Sequence, residues 1–246
     1  MLLIRFLLVT AILFLPGCHE TKTSKPEVPK TTESLSAFER DGEDMIYALR
    51  RPPSPWGDYG NMLFHGMTMR LGRTSEPDGE LQLERAGPAI PAITFPAEGI
   101  LVTDHLKIRM QDAGFVGVAF RKVELARIVK LDWETWDLAA NDTRYYPDGG
   151  SPALYILNLE HSDAAAEQMG PIWELVITQN AKLRRIETDD DLSFEYILGT
   201  WQGNDMFRTS KNGLAYVSPR AMRWFREYFE DWVKFQDGKY HSMSTE

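Results

Sequence analysis

Apolar and polar positions across residues 99–120 spell a complete strand, helix and strand. Ile100, Leu101 and Val102 are strand formers, and Thr103 follows as an N-cap whose hydroxyl can accept an orphan backbone N–H. Leu106, Met110 and Ala113 recur at spacings of four and three, which places them on one helix face. Asp104 complements the helix dipole in the first turn, and Gly114 stands where a left-handed C′ residue is wanted. Phe115, Val116, Val118 and Phe120 then return to strand chemistry. The same grammar predicts a second unit over residues 213–235. There Tyr216, Val217 and Ser218 take the places of Leu101, Val102 and Thr103, Pro219 occupies the first helical position, and Val233 and Phe235 match Val118 and Phe120. The two stretches predict a weak internal strand-helix-strand duplication.

Between and around them the pattern is less regular. Residues 45–50 read as a strand closed by Pro52, Pro53 and Pro55, followed by a loop holding Trp56, Asp58, Tyr59 and Gly60. Residues 62–71 read as a strand interrupted by Gly66, residues 74–79 as turn, and the uncharged, proline-rich 86–96 as irregular backbone against the core. The strand through Phe120 continues to residue 131, and 141–151 is loop by composition. Further strands are expected at 153–159, 172–178 and 206–209, with a helical turn or two over 162–170. Asp189, Asp190 and Asp191 read as the cap of a helix through Phe194, Ile197 and Leu198, ended by Gly199. Strands dominate without sustained strand-helix alternation, which predicts an α+β fold: a mixed, mostly antiparallel sheet with helices on one face.

The amino terminus changes the picture. Arg5 precedes an apolar run over residues 6–15, too short to span a bilayer, so residues 1–17 read as an export signal. The run ends in Leu15-Pro16-Gly17-Cys18, which resembles the lipobox of bacterial lipoproteins. That resemblance implies cleavage before Cys18 and acylation of it; Pro16 departs from the usual small or β-branched residue and leaves cleavage by the ordinary signal peptidase as the alternative. Cys18 is the sole cysteine, so the chain has no pair for a disulfide. His19, in place of Asp, implies by the same resemblance an outer-membrane location facing the periplasm.

Residues 18–40 are polar and rich in Lys, Thr, Ser, Glu and Pro, unable to offset the entropy of ordering them, and read as a disordered tether. Residues 41–246 suffice for a single α+β domain or two fused halves. Losing Arg5 with the leader takes the net charge from −9 to about −10, which argues against nucleic acid and favours a basic protein partner, beside the plain reading of solubility.

The chain lacks G-x-S-x-G, H-E-x-x-H, a phosphate loop and paired cysteines, and no two of its five histidines have ligand spacing, so no metal, cofactor or catalytic residue is predicted. The Asp189 to Asp191 run lacks the alternation and glycine of a calcium loop, and helix capping explains it better. Met222, Phe225, Phe229 and Trp232 share the buried face of the second helix, whereas Trp224 and Tyr228, with Arg223 and Arg226, fall on a neighbouring face suited to a protein partner. Trp56 and Tyr59 in the proline-rich loop, and Trp133 and Trp136 among Asp132, Glu134 and Asp137, are the other candidate partner-binding residues, acidic-aromatic surface suiting a basic partner. Partial burial in the fold is the competing reading of each aromatic.

The pattern LVTDHLKIRMQDAGFVGVAFRKVEL, with the second capped helix at Val217-Ser218-Pro219-Arg220, resembles segments of immunity proteins from bacterial polymorphic-toxin systems. The resemblance implies a small α+β protein without enzymatic activity that binds a cognate toxin and blocks it. The lipobox would place it on the periplasmic side, facing effectors that attack peptidoglycan or phospholipid. The rival expectations are a structural or assembly lipoprotein of the envelope, and an exported hydrolase with an unrecognised carboxylate site.

Overall fold

A computed structural model of the chain describes residues 45–66, 71–73, 80–97, 99–131, 137, 139–140, 154, 158–187, 194–198, 200–209 and 214–241. All of these fall in one compact unit, Arg40–Glu246. In chain order the elements are β1 (Met45–Arg50), α1 (Asp58–His65), β2 (Leu71–Arg73), β3 (Leu81–Gly87), β4 (Ile93–Thr94), β5 (Leu101–Thr103), α2 (Asp104–Asp112) and β6 (Val118–Lys130). Then follow α3 (Asp163–Met169), β7 (Ile172–Ile177), β8 (Asn180–Ala181), β9 (Leu183–Glu187), β10 (Phe194–Leu198), β11 (Met206–Thr209), β12 (Ala215–Val217), α4 (Pro219–Phe229), a 3₁₀ turn (Glu230–Trp232) and β13 (Lys234–His241).

The fold is α+β, with two mixed sheets in which most neighbouring strands are antiparallel. One sheet has the order β8-β11-β12-β1-β13-β10-β9, the other β2-β3-β6-β7-β5-β4. The parallel pairs are β3 with β6, β10 with β13 and β8 with β11.

Both helical units are punctuated as their residues dictate. The Thr103 hydroxyl accepts from Leu106 N–H, and the Ser218 hydroxyl accepts from Ala221 N–H, each cap in extended backbone. Gly114 takes φ +64° behind α2, where its N–H donates to Gln111 C=O and Phe115 N–H donates to Met110 C=O, closing the helix as a Schellman motif.

The ladders around these units follow one scheme. Trp173 of β7 lies between Val102 of β5 and Lys122 of β6, while Tyr47 of β1 lies between Val217 of β12 and Asp237 of β13. Val102 and Val217, like Lys122 and Asp237, stand 115 positions apart. In each case the strands flanking the helix are parallel and split by an antiparallel strand from the opposite half of the sequence: β7 enters the first ladder and β1 the second.

The main core draws on both sheets and on α2 and α4, with Leu106, Met110, Val217, Ala221 and Phe225 completely buried. Helix α3 lies elsewhere: Met169 packs with Leu83, Leu101, Ile128 and Ile172, whose alternation places them on the other face of the six-stranded sheet. The one-face arrangement thus describes α2 and α4. Gly117, at φ +90°, marks the seam between the sheets, where a Cβ would come within 2.3 Å of Met206 O.

Four expectations are corrected. Residues 58–65 are helical, not a loop running into a strand, because Tyr59, Leu63 and Phe64 can all reach one cluster only at helical spacing. Gly66 is the left-handed stop of α1 at φ +66°, rather than an interruption in a strand. Residues 194–198 form β10 instead of a helix, since β9 and β13 supply its backbone partners; residues 188–193, including the three aspartates, lie outside the described residues. At 153–159, Leu154 and Asn158 take helical backbone, an outcome that a short apolar run leaves open between the two periods. The expected turns at 74–79 and 211–213 and the loop at 141–151 also lie outside the described residues.

Candidate functional site

Helices α2 and α4 lie side by side, and their outer faces carry aromatic rings interleaved with guanidinium groups. Arg109 reaches from α2 to α4, its guanidinium carbon 4.0 Å from the Tyr228 ring centroid. Behind it the Trp224 ring packs at 5.5 Å from Tyr228 and 4.8 Å from Phe115, the latter edge-on. Tyr228 remains 42% exposed, and Ile108 and Val116, at 45% and 54%, are among the large apolar side chains left most open to solvent. Such a face is preorganised, because Arg109 of α2 holds the Tyr228 ring and Phe115, just beyond α2, holds the Trp224 ring. The Glu227 carboxylate beside the Tyr228 hydroxyl pushes the phenol's pKa up, aided by desolvation and opposed by Arg109.

A buried carboxylate fixes the end of this face. Asp205 accepts from Val116 N–H at 2.9 Å, from the Ser218 hydroxyl at 3.2 Å and from Arg220 Nη1 at 3.1 Å. Arg220 Nη2 donates to the carbonyl of Ala113, where α2 ends. Its guanidinium also lies 5.7 Å from the Phe115 ring, so one side chain ties together both helices and the loop after α2. At the other end of α2, the Asp104 carboxylate accepts from Trp173 Nε1 at 2.8 Å and from Lys107 Nζ at 3.5 Å, while Lys107 sits 3.4 Å from the Trp173 ring centroid.

The candidate residues read from the sequence do not converge on one surface. Trp224 and Tyr228 belong to the α2–α4 face. Tyr59 is a correction: it is 4% exposed and packs with Leu63 and Phe64 in the cluster under α1. Trp56 belongs to that cluster as well, half-buried, its ring tilted on Phe64 and its Nε1 donating to Ala140 O at 3.0 Å. Asp137 is exposed and accepts from Ala139 N–H in a local turn. Asp132, Trp133, Glu134 and Trp136 lie outside the described residues, as does Cys18. Nothing in the sequence pattern marks Arg109, Phe115, Lys107 or Trp173 as members of a site. The one signal available was that Arg109 sits outside the Leu106–Met110 stripe on α2, and its meeting with Tyr228 is a tertiary event.

Among the described residues, no group of three or more His, Cys, Asp or Glu side chains is gathered closely enough to hold a metal ion. Nor is any helix among them long and apolar enough to cross a membrane. No family model, curated protein or solved structure matches this chain.

Proposed function

We propose that the protein is a lipid-anchored immunity protein that binds a cognate interbacterial toxin and blocks it by occlusion, without chemistry of its own. The observation that supports this reading best is the α2–α4 face: exposed Tyr228 stacked under Arg109 and backed by Trp224 and Phe115. Tyr, Trp and Arg are the side chains that carry most binding energy at protein interfaces, and Tyr and Trp bury a large area at small entropic cost. Rigid backing lowers that cost further, since the rotamers are fixed before the partner arrives. Acylation at Cys18 would hold the domain at the outer membrane on the periplasmic side, on the path of a toxin delivered from a neighbouring cell.

The test is competition on solid medium between the parent strain and one lacking this chain, with and without cell contact. Loss of the deletion strain only on contact, rescued by the exported chain carrying Cys18, is the expected result. Equal fitness in both settings refutes the reading, and envelope defects in the deletion strain grown alone would favour a structural lipoprotein instead.

A further inference from the structure

A buried arginine beside α1 lacks a counter-charge. The Arg85 side chain is completely buried, and three carbonyls take its Nε and Nη2 donors: Ala86 O at 3.2 Å, Leu63 O at 2.8 Å and Phe64 O at 3.2 Å. Its Nη1 is closed off from solvent and has no hydrogen-bond partner. Next to Phe64 stands His65, the last residue of α1, 1% exposed, whose Nδ1 is closed off and unpartnered in the same way. The Phe95 ring packs against the imidazole at a centroid distance of 5.9 Å, which fixes its place. Arg51, part-buried where β1 gives way to the proline-rich loop, makes no ion pair among the described residues. The charges of Arg51 and Arg85 both act on His65, and among the described residues no carboxylate offsets them there.

Elsewhere the fold meets an enclosed guanidinium with a carboxylate of its own. Arg220 faces Asp205 at 3.1 Å and Arg127 faces Glu84 at 2.6 Å. At Arg85 the last turn of α1 supplies carbonyl dipoles but no formal charge. Buried N–H groups also take partners as a rule, and Arg85 Nη1, with a proton on His65 Nδ1, presents donors that have none. A buried water would accept from them and leave the charge uncompensated. A small anion does both, because hydrogen bonds from a guanidinium to a charged acceptor are the strong ones.

We propose that Arg51, His65 and Arg85 form a binding site for a small inorganic anion, chloride or phosphate, which accepts from Arg85 Nη1 and His65 Nδ1–H while Arg51 adds its charge. The ion enters beside Arg51, since the other two side chains are closed to solvent. The chain as a whole carries −9, so the anion is drawn by this local cluster and not by the general field. The site shares no residue with the α2–α4 face and does not depend on the immunity reading.

The test titrates the full exported chain, isotopically labelled at histidine, with sodium chloride and separately with sodium phosphate at neutral pH. Sodium gluconate, too bulky for a closed site, holds the ionic strength constant. The His65 ring resonance, identified by its absence from His65→Phe, should move along a saturable curve in one series or both. The thermal midpoint should rise with the same salt, because a ligand bound only by the folded state stabilises it. Response to chloride alone assigns a halide site, and response to phosphate an oxyanion site. Arg51→Gln, at a part-exposed position, should weaken the apparent affinity about tenfold or more with an unchanged circular dichroism spectrum. No movement of the His65 resonance, a drift that gluconate reproduces, or an affinity unchanged in Arg51→Gln would overturn the proposal and leave a buried water as the partner of Nη1 and Nδ1.

Discussion

Asp205 and Arg220 face each other at 3.1 Å across the junction of β11 and α4, with the carboxylate buried and the guanidinium only part-exposed. Asp205 also holds Val116 N–H and the Ser218 hydroxyl, so one carboxylate serves three donors from two distant parts of the chain. Arg220 in turn donates to the carbonyl of Ala113, the residue that caps α2. Asp205→Ala would leave all three donors without their acceptor in a water-poor place, and should destabilise the protein by about 2–4 kcal/mol. Urea unfolding measures this. Asp205→Asn should cost less, because the amide oxygen still accepts while the charge is lost.

The two caps should differ in weight. Thr103→Ala removes one bond to Leu106 N–H and should cost about 1 kcal/mol. Ser218→Ala removes both the bond to Ala221 N–H and the donor to Asp205, so its cost should exceed that of Thr103→Ala by about 1 kcal/mol. Parallel thermal melts of the two variants decide it, and equal losses would contradict the coupling to Asp205.

Arg109→Ala and Tyr228→Ala should behave in the opposite manner. Both side chains lie on the outer face, and their stacked pair should contribute less than about 1 kcal/mol to folding. Binding of the partner should fall about tenfold or more with either change. The measurement is a stability curve beside a protection assay for each variant, and loss of protection in step with loss of stability would place both residues in the scaffold.

His65, buried at the end of α1, should make the domain acid-labile. Burial, and then the charges of Arg51 and Arg85, lower its pKa from 6.5 to about 3. An unfolded chain takes up this proton below about pH 6.5 while the folded one resists it until about pH 3, so the unfolded state binds more protons in that window. Its contribution is complete above the window and is lost as pH falls through it. His65→Phe should flatten the decline in urea midpoint between those values, and an unchanged slope would show that other groups set the acid limit.

The neighbouring Arg85 shows why some of this fold was invisible in advance. Its side chain is completely buried, with Nη2 donating to Leu63 O at 2.8 Å and to Phe64 O at 3.2 Å, and Nε to Ala86 O. It closes the carbonyl end of α1 from a different element, and its burial lowers the guanidinium pKa to about 10. No local pattern around residues 58–65 advertises a helix whose last carbonyls are met by a side chain twenty positions further on. Strand β3, which carries that arginine, is likewise hidden, because Arg85 stands where the alternation of Leu81 and Leu83 calls for a third apolar residue.

What the sequence determined by itself is what neighbouring residues decide. Thr103, Gly114, Ser218 and Pro219 set the limits of α2 and α4, since caps and left-handed stops depend on hydrogen bonds a few residues apart. The buried stripe of Met222, Phe225 and Phe229 follows from helical spacing in the same way. The tertiary structure alone decided the rest: that β7 and β1 cross into the opposite ladders, that residues 194–198 pair as a strand, that Tyr59 turns inward, and that Arg109 meets Tyr228. Each of these depends on partners on other elements, from tens to well over a hundred residues away, or on which backbone is free to pair, and such contacts are set by the packing of the whole core, not by periodicity within one element.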